Sequence, residues 1–291
     1  MTNNINKVDL CSIDSLEFED APREKKGAST EDSGLKILGD LAKKHKFGIH
    51  IVERVAPTGV GEFDAICCTD SVLIVVELKR YGGNFAFFNL FDEKICIQTG
   101  RTNKWIPNPV VKLQQKAERM KKDLIDNDAA WVPVKRLYSG HIPIYKVICF
   151  GPSTSFDTLP ESDRNTCICT TRTLARTIED IYASRVGVVG AGQQMATLVS
   201  IWPRWGILTT HKKGFLRCAL SKISTSKWDL SPYGIEALNS DGKQLEYQFN
   251  NGRKGKLPFD ENVLIKSYVN GKEKTVSITP LMRFRWRIKG K

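Results

Sequence analysis

Asp64, Glu77 and Lys79, in the stretch GEFDAICCTDSVLIVVELKRYGG, are the residues whose types and spacing could do chemistry. Twelve residues separate the two acids, and the lysine follows the glutamate by two. Side chains alternate along a strand, so Glu77 and Lys79 share one face and Leu78 takes the other. If Asp70–Ser71 is a two-residue hairpin loop, opposed residues have numbers adding to 141, and Asp64 stands across from Glu77. Their β-carbons would then be about 5 Å apart. Two carboxylates that close repel unless a cation, a proton or solvent screens them. A hard divalent cation suits such an all-oxygen cup, with Mg²⁺ expected and Mn²⁺ as a substitute. Lys79 would orient or help deprotonate an attacking water, or offset charge building on a phosphate. The plainer alternative is a hairpin with solvent-facing charges. Against it, these charges end or interrupt the most apolar strands of the region, where a purely structural sequence places no ionisable cluster.

The elements that must hold these residues are legible around them. STEDSGLKILGDLAKKHK, from Ser29 to Lys46, puts Leu35, Leu38 and Leu41 on one helical stripe. IHIVERVA, EFDAICC and VLIVVELKR then read as a three-stranded antiparallel meander parted by PTGVG and TDS. The aromatic-rich insert NFAFFNLFDEKICIQTGRTNKW reads as a further hairpin flap. Asn108–Pro109 opens a helix, because Asn caps free backbone donors and Pro suits the first helical position. Leu113, Ala117, Met120 and Leu124 recur along it at helical spacing. IPIYKVICFG and NTCICTT are strands, with a helix from about Thr171 to Ala183. The helix before IPIYKVICFG supplies the crossover that a parallel pairing requires. The glycines of VGVVGAGQQMATLVSIW do not follow GxGxxG and read as a hinge before a short helix ended by Pro203. No GxxxxGK[ST] motif is present, so nothing suggests ATP hydrolysis in this chain.

The order αβββαβ with D…ExK resembles the PD-(D/E)xK nuclease superfamily. GEFD…VLIVVELKRYGG followed by NPVVKLQQKAERM resembles its nuclease-related domain branch, NERD. The resemblance implies divalent-metal-dependent phosphodiester hydrolysis, usually of DNA, with Asp64 and Glu77 as metal ligands and Lys79 as the catalytic lysine. It also implies a glutamine on the helix after the core strands. Gln114 and Gln115 both qualify, and Gln114 is preferred because it borders the buried face defined by Val110 and Ala117. The family's early glutamate has no clear counterpart, because Glu31-Asp32-Ser33-Gly34 replaces the usual glycine–glutamate opening. Glu62, two before Asp64, reads as an exposed strand-start residue.

The formal net charge of +12 is unevenly spread. From Trp205 onward there are 17 Lys and Arg against 7 Asp and Glu, which suggests a polyanionic partner. There the pairs Asp241–Gly242, Asn251–Gly252 and Asn270–Gly271 mark hairpins of a small β-barrel or sandwich of five or six strands. RFRWRI alternates Arg283, Arg285 and Arg287 with apolar residues, a phosphate-tracking row or else an edge strand protected by charge. The eight cysteines form no CxxC, and the four histidines have no metal-ligand spacing. No apolar run approaches the roughly 18 residues of a membrane helix, and MTNNINKVDL is not a secretory signal, so a cytoplasmic protein is expected.

The expected architecture is therefore α/β, a PD-(D/E)xK-like αβββαβ core followed by a small, basic, mostly β domain. Residues 1–29 form a mobile leader, 30–185 the nuclease-like domain, 186–206 a linker and helix, and 207–291 the nucleic-acid-binding β-domain. The expected function is Mg²⁺-dependent hydrolysis of phosphodiester bonds by a DNA endonuclease, in antiviral defence or DNA processing. The rivals are a nucleic-acid-binding module that cleaves weakly, and a subunit working with a separate ATPase or helicase. A homo-oligomer is compatible with either.

Overall fold

A computed structural model describes residues 10–11, 24–57, 59–87, 92–100, 102–156, 165–210, 215–224, 229–230, 235–241, 243–249, 253–258, 264–269, 272–277 and 282–285. It begins with β1 (Leu10–Cys11) and α1 (Glu24–Lys44), then β2 (Ile49–Val55), β3 (Phe63–Thr69) and β4 (Leu73–Lys79). The insert forms β5 (Gly83–Phe87), β6 (Lys94–Thr99) and β7 (Thr102–Pro107), and α2 (Pro109–Arg119) follows. After α2 come a π-helical turn, Met120–Asp126, and α3 (Val132–Leu137). The unit closes with β8 (Ile144–Phe150), β9 (Thr154–Phe156), β10 (Thr166–Thr170), α4 (Leu174–Ala183) and α5 (Ala191–Ser200).

The fold is mixed α/β. Its central sheet has the order β10-β8-β4-β3-β2, with β3 and β4 antiparallel and β8 parallel to both β4 and β10. The parallel β4–β8 step is crossed by α2, as expected of that connection. Alternation along β4 then sorts the two faces of the sheet. Ile74, Val76 and Leu78 join Leu35, Leu38 and Leu41 of α1 and Leu174, Ile178 and Ile181 of α4 in one buried core. Val75, Glu77 and Lys79 belong to the opposite face, on which α2 packs beside β8. Gly34 lets α1 lie directly on Leu78, since a β-carbon there would come within 2.8 Å of both Leu78 methyls. The insert is not a lone flap: its three strands join β9 in a four-stranded sheet of order β7-β6-β5-β9. Phe85 stacks on Phe156 at 5.3 Å and meets Phe150 of the central sheet at 4.9 Å, which anchors it.

The second unit comprises β1, the segment Arg54–Glu62 and the described residues from Ser200 on. Its later strands are β11 (Trp205–Thr210), β12 (Phe215–Ser224), β13 (Asp229–Leu230), β14 (Ile235–Ser240), β15 (Gln244–Phe249), β16 (Lys254–Pro258), β17 (Leu264–Val269), β18 (Lys272–Ser277) and β19 (Met282–Arg285). They form a ten-stranded sheet in the order β1-β18-β17-β12-β11-β19-β14-β15-β16, with β13 on β12. That exceeds the five or six strands expected. β14–β15, β15–β16 and β17–β18 are antiparallel neighbours across the three predicted turns.

Two further expectations need correction, and so does one alternative reading. The stretch 1–29 is not wholly a leader, because Leu10–Cys11 pairs in parallel with β18 and α1 starts at Glu24. The β unit is not confined to 207–291: the Ala56 N–H donates to the Pro203 carbonyl at 2.7 Å, and Arg54 lies over Trp205 at 4.4 Å. Nor is the arginine strand an edge, since β19 pairs with β11 on one side and β14 on the other. Of the predicted arginine row, Arg283 and Arg285 are described in backbone only, and Arg287 lies outside the described residues. Among the described residues no helix is long and apolar enough to cross a membrane.

Candidate active site

The β3–β4 hairpin closes on Asp70–Ser71, where the Thr69 N–H donates to the Val72 carbonyl at 3.1 Å. Ala65 is therefore opposite Val76 and Cys67 opposite Ile74, the register that the two-residue loop requires. One step further along the same ladder brings Asp64 to Glu77. Asp64 Oδ2 accepts the Leu78 N–H at 2.6 Å, so the side chain occupies a backbone acceptor position at the open end of the hairpin.

Glu77 is bonded at both oxygens. Lys79 Nζ donates to Oε1 at 2.6 Å and Lys116 Nζ to Oε2 at 2.7 Å, and the Glu77 side chain is only 12% exposed. With so little water present, attraction between these charges is stronger than in a surface pair. Burial alone would raise the Glu77 carboxyl, but the ammonium groups of Lys116 and Lys79 outweigh it and hold the group below its ordinary value. Lys79 experiences the converse: burial disfavours its charge, yet Glu77 and Asp64 keep it an ammonium well above the usual lysine range.

Asp64 is the strained partner. Burial first, and then the Glu77 charge, push its carboxyl from 3.8 up to about 7, although Lys79 opposes them. Glu31 on α1, from the Glu31-Asp32-Ser33-Gly34 stretch, adds to the repulsion. Glu62 is exposed.

A groove of about 290 Å³ opens onto Glu77 and Lys79, with Asp64 outside its lining. Glu77 and Lys79 of β4 and Tyr81 just beyond it line one side, and Lys112, Gln115, Lys116 and Arg119 of α2 the other. Its wall carries Gln115 rather than Gln114, whose amide instead donates to Glu118 Oε1 at 3.4 Å. At 3.6 residues per turn, Gln114 and Lys116 flank the buried stripe of Val110, Leu113, Ala117 and Met120 on opposite sides, and only the Lys116 side meets Glu77. Lys112, Lys116 and Arg119 were missed in the sequence. Their signal is the one-turn spacing of three cations on the helix that follows the acid-bearing strands.

Asp64 and Glu77 are the carboxylates that could hold a divalent cation, whose shell water and phosphate would complete. Burial and the Glu77 charge leave Asp64 in want of a cation, whereas both Glu77 oxygens already accept from Lys79 and Lys116, so a metal there would have to displace an ammonium group. Among the described residues no group of three or more His, Cys, Asp and Glu could hold a metal by itself.

This electrostatics has a consequence for stability. A proton binds Asp64 more tightly in the metal-free folded state than in the unfolded chain, so this contribution is fully present below about pH 4. It is lost as pH rises through about 7. The loss is bounded at roughly 4 kcal/mol, at about 1.36 kcal/mol per pKa unit. Asp64→Asn should therefore melt higher than wild type in chelator at pH 8, with the difference shrinking toward pH 5. Mg²⁺ should raise the wild-type melting temperature more than the variant's. Parallel melting curves for the two proteins from pH 5 to 8 would contradict the assignment.

Residues 26–151 match the family model of the nuclease-related domain, NERD, a span that contains Asp64, Glu77, Lys79 and all of α2. No curated protein and no solved structure matches the chain.

Proposed function

We propose that this chain is a divalent-metal-dependent nuclease that hydrolyses phosphodiester bonds of DNA, with Asp64, Glu77 and Lys79 at the reaction centre. The observation that carries the reading is the part-buried cluster of Asp64, Glu77 and Lys79, with the Asp64 carboxyl raised and with Glu77 and Lys79 opening onto a cation-lined groove, within the nuclease-related span. The order of α1, β2 to β4, α2 and β8 supports a PD-(D/E)xK-like core.

Asp64 and Glu77 would hold the Mg²⁺, which when bound polarises a phosphoryl oxygen and makes its water more acidic. Lys79, kept cationic by Glu77, offsets negative charge developing on the phosphoryl group instead of accepting a proton. Lys112, Lys116 and Arg119 project from successive turns of one helix and set neighbouring phosphates along the groove. Arg119 offers a planar fork for bidentate contact, and the lysines act as point charges. Gln115 adds an amide that donates to phosphate or accepts from water.

The test is to incubate purified protein with circular DNA, linear DNA and RNA, each with Mg²⁺ or with chelator. Nicking and linearisation of the circle with Mg²⁺ alone is expected. Equal cleavage in chelator would remove the metal from the proposal, and cleavage of RNA only would remove DNA. A second reading, binding with little cleavage, draws on the fact that both Glu77 oxygens already hold ammonium groups. It predicts retention of all three nucleic acids without any product.

A further inference from the structure

We infer that one face of the second unit's sheet, from β16 across β15, β14, β19 and β11 to β12, is a nucleic-acid-binding surface anchored at its β16 end by Lys254 and Lys256. A cavity of about 610 Å³ lies on its β14–β15–β16 end, lined by Asn239, Glu246, Gln248, Lys254 and Lys256 among others. The pairing register explains why polar groups collect there. Asn239 is opposite Glu246 and Glu246 opposite Lys256, while Ala237 is opposite Gln248 and Gln248 opposite Lys254. Directly opposed residues belong to one face of a sheet. The alternate positions, Leu238, Leu245 and Phe249, are buried.

The same two rows continue through the arginine strand. Arg283 is opposite both Asn239 and Thr209, and Arg285 is opposite both Ala237 and Ile207. Ile207 in turn is opposite Arg217 of β12. Lys254, Lys256, Arg283, Arg285 and Arg217 thus occupy basic positions of one face, with Glu246 the acid among them. Five inter-strand steps of about 4.8 Å spread these positions over roughly 24 Å, the scale of several phosphates. Glu246 pairs with Lys256 at 2.5 Å, but both side chains are well exposed, so solvent screens that pair and it competes weakly with a polyanion.

A nucleic acid fits this face better than a protein partner does. The cavity presents amides and ammonium groups suited to phosphate and base edges, and the aromatic of its lining, Tyr247, is already packed against Phe249 at 5.1 Å, whereas protein interfaces centre on aromatic anchors that a partner buries. The inference rests on the nuclease reading only for the kind of polyanion.

Binding of duplex DNA, measured in chelator at several salt concentrations, tests it. Each phosphate contact contributes about 0.9 to the slope of log affinity against log salt. Lys254→Gln with Lys256→Gln should flatten that slope by up to about 1.8 and weaken binding roughly tenfold or more near 0.1 M salt, with the melting temperature unchanged. The control pair Lys36→Gln with Lys43→Gln, on α1, should leave the slope as it is. An unchanged slope in the Lys254/Lys256 variant overturns the proposal, and so does an equal flattening in the control, which would mean that only net charge matters. Tighter binding to anionic lipid vesicles than to DNA, abolished in the same variant, reassigns the face to a membrane surface. Because binding is read without cleavage, an inactive nuclease leaves this result intact. An active nuclease with an unchanged slope rejects this face alone.

Discussion

Asp64→Asn is expected to lower DNA cleavage by about 10³-fold or more while leaving the protein folded, because removing the charge of a proposed metal ligand would take several kcal/mol from transition-state stabilisation. The substitution is nearly isosteric, and the amide oxygen still accepts the Leu78 N–H that now bonds to Oδ2 at 2.6 Å. It also removes the repulsion that raises Asp64, so activity and metal-free stability should move in opposite directions. Lys79→Met should cost about 10²- to 10³-fold, the scale of one lost preorganised donor. Glu77→Gln is a less clean probe, since it leaves the Lys79 and Lys116 ammonium groups without a carboxylate in a poorly solvated site, and stability falls with activity. Single-turnover cleavage at saturating Mg²⁺, with binding measured in parallel, reads these effects. DNA affinity should change by no more than a few fold. Wild-type cleavage by the Asp64 variant would end the site assignment.

Gly187→Ala is expected to destabilise the protein by about 3 kcal/mol, at the upper end of what overpacking costs. A β-carbon at Gly187 would lie 2.1 Å from the Asp70 carbonyl oxygen and 2.2 Å from its carbon, where backbone would have to move. That loop has little freedom to yield. Asp70 Oδ1 accepts the N–H groups of Gly190 at 3.1 Å and Gly192 at 2.9 Å, capping the start of α5, and Tyr138 Oη donates to the Thr69 carbonyl at 2.6 Å. For a unit of this size the melting temperature should fall by roughly 6–12 °C. Gly190→Ala makes the contrast: nothing lies within 4 Å of its added β-carbon, and its φ of +88° costs only about 1 kcal/mol. Calorimetry separates the two, and equal small shifts would mean that the loop accommodates Gly187→Ala.

The glycine run therefore clamps the hairpin instead of forming the hinge expected of it. The clamp matters to the site, because the turn that Gly187 and Gly192 press against sets the β3–β4 register and so the partner of Asp64.

What the sequence determined by itself was whatever depends on neighbours a few residues apart. A two-residue loop and the period-two alternation of β-structure suffice to bring Asp64 to Glu77. The Asn108–Pro109 signal suffices to start α2, with Asn108 Oδ1 accepting the Val110 N–H at 3.0 Å. Turn pairs such as Asp241–Gly242 suffice to join neighbouring strands. Only the tertiary structure decided which side of α2 faces the acids. Gln114 and Lys116 border the same buried stripe at nearly equal angles, and no local rule distinguishes its two sides. Docking beside β8 does, and it brings Lys116 to Glu77 across 39 residues of chain. It also decided that β19 inserts between β11 and β14, because strand order in a sheet is set by burial of distant apolar rows and not by the strand's own alternation.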